Sequence, residues 1–400
     1  MCYTVKVKLY SPTYGKERNV KLKNNKKRRG SSAAVALNLI IVLLYGIFIS
    51  RYLSLMESEG IGTVTTFLIA FVIIYVSLIV QIIIHEAGHL VFGLLSGYRF
   101  GSFRVLGLMI ASENGKLKLR RLNIAGTGGQ CLMIPPDSKR PEDTPAVLYN
   151  LGGVIFNTAA SALFGVLCFT VPMPAIAATL VASLFGMGLY LALTNGIPMN
   201  TGLIYNDGAN ALSCMKSPAA RRALVLQLRI TAETAKGVRL KDMPEEWFAV
   251  PTDEEMKSPI ISTIGVFVSN RLTDEHRFAE ADALTEHLLS IDSSIAGVYR
   301  AVLTSDRMFF EMIGENLPER INAMCTKEQI AIMGQMKRYL SFIRTEYACA
   351  LLCDDDAEKA REAEARFEKA AASHPFKSDV DSERELMDVA RSMKNRKEAI

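Results

Sequence analysis

An apolar run interrupted by Gln81-Ile82-Ile83-Ile84-His85-Glu86-Ala87-Gly88-His89-Leu90 constrains this chain more than any other feature. Two histidines and a glutamate at the depth of a hydrocarbon core are costly unless something compensates their polarity, and a bound metal ion is the direct compensator. His85 and His89 are four residues apart. On a helix they lie about 40° apart on one face, close enough to share one Zn²⁺. Glu86 follows at once, placed to take a proton from a water that the metal activates, the general-base role in metal-assisted peptide hydrolysis.

The rest of the chain divides around that run. Half of the 400 residues are apolar and the mean hydropathy is +0.18, too apolar for an ordinary soluble domain and too charged to be membrane throughout. Apolar runs crowd into the first half and charge into the second, so a membrane domain followed by a soluble one is expected. A formal net charge of +5 argues against nucleic acid as a main partner. Much of the positive charge lies between Lys6 and Arg29, ahead of the first apolar run, and reads as a cytoplasmic flank under the positive-inside rule, or as an arm touching anionic lipid. The seven cysteines are scattered and odd in number, and are read as reduced thiols. No small-residue cleavage site follows the first apolar run, so a retained anchor is expected there.

In chain order, residues 1–32 form a basic cytoplasmic arm and residues 33–210 an all-α polytopic membrane domain of about four transmembrane helices. The spans run over about 33–53, 62–95, 147–170 and 175–193. The second exceeds the roughly 20 residues that cross a bilayer, and its latter half carries the histidines. Between spans two and three, about 98–145, short alternating stretches such as Phe103-Arg104-Val105-Leu106 and Lys116-Leu117-Lys118-Leu119 flank the turn signal Glu113-Asn114-Gly115 and predict a small β-hairpin insertion. Its basic residues, Arg104 among them, agree with a cytoplasmic location. The hairpin either closes a loop or offers an edge strand, near the mouth of the site, on which an extended substrate can pair. The Gly126-Thr127-Gly128-Gly129-Gln130 cluster would let a backbone approach something closely. Asn195-Gly196-Ile197-Pro198 should break span four. Counting crossings from a cytoplasmic amino terminus places both this break and the histidines on the cytoplasmic side.

Residues 211–400 lose the long apolar runs and become a cytoplasmic α-helical domain of tetratricopeptide-like look. Amphipathic patterns cover Ala281 to Leu289, Ile332 to Leu352 and Ala357 to Ala371, with breaks at Pro251, Pro259, Pro318 and Pro375. His276, one turn before Glu280, reads as a solvated surface contact and His287 as a partly solvated helix residue.

Catalytic zinc takes three protein ligands and keeps one position open, so two histidines need a third group at the same depth. Asp207 fits that need, just past the broken end of span four, within Asn206-Asp207-Gly208; taken alone it would be an ordinary Asp-Gly turn. The HExxH in a membrane helix, followed about a hundred residues later by Asn195-Gly196-Ile197-Pro198 and Asn206-Asp207-Gly208, resembles the site-2 protease family of intramembrane zinc metalloproteases. The resemblance covers roughly Ala33 to Asn210. It implies that His85, His89 and Asp207 bind zinc, that Glu86 activates the water, and that the substrate is a transmembrane segment of another protein unwound at the site. It also implies that Gly153 and Asn157 match a glycine and asparagine motif of the third core helix, and that the Gly128-Gly129 region belongs to a membrane-associated β segment receiving substrate. Asn157, Asn195 and Asn200 are polar groups that can hold an extended peptide or line a water path. Two departures stand out: the interval from Pro198 to Asp207 is longer than the family's compact form, and no PDZ-like insertion separates the core spans. The expected activity is regulated intramembrane proteolysis by a multi-pass protein of the cell membrane. Its rivals are a non-catalytic scaffold whose helical domain recruits cytoplasmic partners, and a membrane-anchored zinc protease acting on soluble peptides.

Overall fold

The structure of the chain, a computed structural model, describes residues 29–113, 116–121, 128–137, 140–199 and 205–398. The basic arm up to residue 28, the Asn114-Gly115 turn, Gly126-Thr127 and Asn200 lie outside the described residues. The chain folds as two compact units, one of Arg28–Leu119 with Gly126–Leu228 and one that includes Arg229–Ile400.

Four helices of the first unit are long and apolar enough to cross a membrane: α1 (Arg29–Ser58), α2 (Thr63–Leu95), α3 (Val147–Thr170) and α4 (Ala175–Gly196). Their burial runs opposite to that of a water-soluble bundle. Along α2 the buried residues Thr66, Ala70, Ile73, Ser77, Gln81, His85 and His89 recur every three or four positions, so small and polar groups face the other helices. Val64, Phe67, Leu68, Phe71 and Val72 point outward and are exposed. Lipid tails are as apolar as leucine, so such helices associate through close packing of small residues and through hydrogen bonds rather than by burying large apolar side chains. At the crossing of α2 and α3, Gly88 and Gly152 meet backbone to backbone: a Cβ on either would overlap the other's carbonyl group.

Between α2 and α3 lies a four-stranded antiparallel sheet, β1 (Arg99–Val105), β2 (Leu108–Glu113), β3 (Lys116–Arg121) and β4 (Gly129–Ile134), in the order β3-β2-β1-β4. The expected hairpin is thus half of the element. The turn signals showed where β2 and β3 reverse, but β4 returns past both to pair with β1, from Arg99 opposite Ile134 to Val105 opposite Gly129, a long-range pairing with no local signature. Arg104, expected among solvated basic residues, is instead only 1% exposed, because Ser102 and Arg104 share the buried face of β1.

After α4 the chain turns into α5 (Asp207–Lys216) and α6 (Pro218–Ala235). The second unit continues all-helical through α7 (Pro259–Asp274), α8 (Phe278–Ser290), α9 (Gly297–Ile313), α10 (Pro318–Met324), α11 (Lys327–Gln335), α12 (Leu340–Leu352), α13 (Ala357–Ala371) and α14 (Lys377–Glu398). Pro259 and Pro318 open helices at the first turn, where the missing N–H costs nothing. The pattern from Ile332 to Leu352 is two helices rather than one: Met336 closes α11 and Tyr339, in an extended conformation, precedes α12. α8 packs on α9, α9 on α12, and α12 on α13 and α14. Phe309, Phe342 and Phe367 are buried completely or nearly so, and such side chains contribute roughly 1.5–3 kcal/mol each. Arg344, 1% exposed, is held by Asp306 and by Glu383 at 3.0 Å. His287, half exposed on α8, pairs with Asp253 at 2.7 Å. The six described cysteines are free thiols.

Candidate metal centre

His85 and His89 occupy the buried stripe of α2, one turn apart, and α5 brings Asp207 to them from a point 118 residues further along the chain than His89. His85 Nε2 lies 2.9 Å and His89 Nε2 3.4 Å from Asp207 Oδ2. One ligand atom from each of the three lies within 4.8 Å of the other two.

The outer nitrogens decide what the inner ones can do. Asn157 is fully buried, and its amide donates to the backbone oxygen of Gln81 at 2.9 Å and to Gln81 Oε1 at 2.8 Å. Its Oδ1 therefore accepts, and the donor is His85 Nδ1 at 2.6 Å. His89 Nδ1 likewise donates to the carbonyl of Tyr149 at 2.7 Å. Both protons sit on Nδ1, so in neutral rings both Nε2 atoms carry bare lone pairs. These face each other at 3.2 Å with a carboxylate alongside. Two lone pairs and an anion at such separation repel, and positive charge between them, a proton on one ring or a divalent cation, would relieve the repulsion. The donor set, two imidazoles and one carboxylate, suits zinc with one position left for water. Asp207 itself experiences two opposed effects. Burial works to raise its carboxyl, and positive charge on the His89 and His85 side, which protonated rings supply where no metal is bound, outweighs that and holds it well below the usual carboxylate range.

Glu86 is buried beside the histidines, and the start of β4 lies against it: a side chain at Gly129 would overlap the Glu86 carboxyl. Gly128 is one residue further back, its carbonyl accepting from Leu106 N at 2.7 Å. Arg104 fixes this corner, donating to Leu106 O at 2.8 Å and to Gly129 O at 3.1 Å. Burial lowers its guanidinium from the ordinary value, while the nearby Glu86 carboxylate favours the charged form. Tyr149 ties the same parts together from α3, since its hydroxyl donates to Cys131 O of β4 at 2.8 Å while its carbonyl holds His89.

Of the residues singled out in the sequence, His85, His89, Asp207, Glu86, Gly129 and Asn157 come together. Gly153 packs directly on the His85 ring, leaving no room for a larger side chain. Asn195 is placed differently. Its amide donates to Leu191 O at 3.0 Å, back along its own helix. Three residues of the site carried no such signal: Gln81, which also anchors α4 through Leu184 O at 2.8 Å, Arg104 and Tyr149; Asn206 stood in the motif Asn206-Asp207-Gly208 without a role of its own. Gln81 was visible only as a lone polar residue in an apolar run. No family model, curated protein or solved structure matches the chain.

Proposed function

We propose that the chain is an intramembrane zinc metalloprotease of the site-2 protease type, hydrolysing a peptide bond in or next to a transmembrane segment of another protein. The observation that carries this is the meeting of His85, His89 and Asp207, each with its ligand atom turned inward, beside a buried Glu86. Zinc, when bound there, would polarise the scissile carbonyl and lower the pKa of a water. The work of the chain's own residues follows from their places. Glu86 takes the proton of the attacking water and returns it to the leaving amide nitrogen. Asn157 and the Tyr149 carbonyl keep both imidazoles in the tautomer that offers Nε2. β4 stands at the edge of its sheet, and an extended substrate pairing along that edge would bring its backbone past Glu86 without leaving its amides unsatisfied in lipid.

A single-span peptide has no unpaired backbone while helical, so unwinding next to a strand edge is what makes it a substrate. The basic flank of the first span and the basic hairpin support a cytoplasmic amino terminus, with the metal centre reached by water from that side. By the same count the helical unit is cytoplasmic, and it would recruit a cytoplasmic protein partner.

Replacing Glu86 by Gln keeps the shape of the site and removes the base. Zinc should stay stoichiometric while cleavage falls roughly a hundred- to ten-thousand-fold. Comparing membrane proteomes of cells carrying wild-type and Glu86→Gln protein should reveal a membrane protein that accumulates uncleaved. Identical proteomes together with metal binding would instead favour a non-catalytic scaffold.

A further inference from the structure

The interval between Pro198 and Asp207 is long in sequence, and something must keep the carboxylate against the histidines across it. Asn206 does so with four hydrogen bonds from one side chain. Its Oδ1 accepts from Met199 N and from Ala209 N, both at 3.0 Å. Its Nδ2 donates to Thr194 O at 2.8 Å and to Ile197 O at 2.6 Å. The backbone N–H of Asn206 adds a bond to Met199 O at 3.4 Å.

These bonds do two different jobs. The one to Ala209 N is an ordinary helix cap on α5. The three to Thr194, Ile197 and Met199 satisfy backbone groups at the broken end of α4 that no helical partner reaches. Asn206 therefore joins the end of one helix to the start of the next, and residue 207 is the first beyond that joint. Gly208 completes the fit, because a Cβ there would overlap Gly196 O. The residue is only 8% exposed, so water cannot replace bonds that are lost.

We propose that Asn206 is the positioning residue of the metal centre, clamping α5 to the end of α4 so that Asp207 Oδ2 is held at ligand distance from His85 and His89. This rests on the metal reading of the site. Only glutamine carries the same carboxamide, on a side chain one methylene longer. Aspartate keeps both acceptors and loses both donors; serine keeps the cap and reaches neither carbonyl of α4; leucine does neither.

Asn206→Ser separates the clamp from the cap. Zinc affinity is measured by chelator competition on the detergent-solubilised full chain, and Co²⁺ absorption reports the ligand geometry. For Asn206→Ser, and for the near-isosteric Asn206→Asp, the expected result is affinity weaker by roughly ten- to a hundred-fold and an altered Co²⁺ band, with far-UV circular dichroism unchanged. A residue that merely caps α5 would leave the serine variant at wild-type affinity with a wild-type Co²⁺ spectrum, and that outcome overturns the proposal. If Asn206→Asp fails to fold, the serine variant alone decides between these two results. Asp207→Ala, run in parallel, tests the premise: retention of stoichiometric zinc there defeats the metal reading itself, whereas zinc lost in Asp207→Ala but kept in Asn206→Ser defeats only the role of Asn206.

Discussion

At the scale of single residues, the geometry of the candidate site rests on the groups that turn its two histidines as well as on the histidines themselves. An imidazole can present either nitrogen, and His85 presents Nε2 because Asn157 occupies Nδ1 at 2.6 Å. Asn157 is turned in its own right by Gln81, which commits two oxygens to its amide. Asn157→Ala would leave the His85 Nδ1–H and Gln81 Oε1 without these partners in a dry interior. We expect zinc affinity to fall roughly ten- to a hundred-fold, read by chelator competition, with Glu86 still in place; an unchanged affinity would show that the tautomer is set elsewhere. The two histidines were legible as candidate ligands because a helix repeats every 3.6 residues, so a spacing of four puts them on one face. The supporting residues were not. Gln81 acts through a contact 76 residues away, and Arg104 looks like any surface cation until β4 covers it.

At the scale of elements, α2 and α3 approach as closely as two backbones can, and they do so between the two histidines, at Gly88 and Gly152. A methyl group at Gly152 meets backbone, which cannot rotate away. At Gly165 it would meet the ring of Phe185 at 3.1 Å, a side chain able to yield. Gly152→Ala should therefore destabilise the chain by roughly 1–3 kcal/mol and weaken zinc binding, while Gly165→Ala should cost distinctly less and leave zinc affinity near wild type. Thermal denaturation in detergent and zinc titration check this; equal effects at the two positions would contradict the backbone contact as the cause. Helix positions could be read closely from hydropathy, since α3 covers Val147–Thr170 as expected. The sheet could be read only in part. Hairpin turns leave a local mark, whereas the pairing of β4 with β1 is decided by tertiary contact.

At the scale of the whole molecule, the two halves of the chain are stabilised by opposite means, and the helical one carries carboxyls that make its stability fall as pH rises from about 4 to about 7. The apolar bundle keeps small and polar groups inside, while the helical unit has an aromatic core crossed by a buried ionic network. Its alternating helices were legible from amphipathic periodicity; the network was not, because Asp306, Arg344 and Glu383 come from three separate helices. Asp379 stands beside that network. Burial pushes its carboxyl up to about 7, and the neighbouring carboxylates of Glu383 and Asp274 add to the shift. Glu383 is pushed up to about 6 by burial, with Arg344 opposing. A carboxyl whose folded value is raised holds a proton in the native state that the unfolded chain has already released, so stability is lost as pH rises from about 4 through about 7. Carboxylates held below their ordinary value, such as Asp274 beside Arg239, are ionised in both states above about pH 5 and contribute no slope there. His374, lowered by burial, acts in the other direction below about pH 6.5 but equally in wild type and variant. Asp379→Asn should consequently raise the thermal midpoint of the full chain's helical transition at pH 8. The expected gain is on the order of 1–2 kcal/mol, or about 3–6 °C, since the carboxyl keeps some contact with water. At pH 5 the same substitution should gain only about a third as much, because the loss of stability accumulates between about pH 4 and about pH 7 and little of that window has been crossed. A variant that gains as much at pH 5 as at pH 8 would attribute the effect to packing and remove Asp379 as the source of the pH dependence.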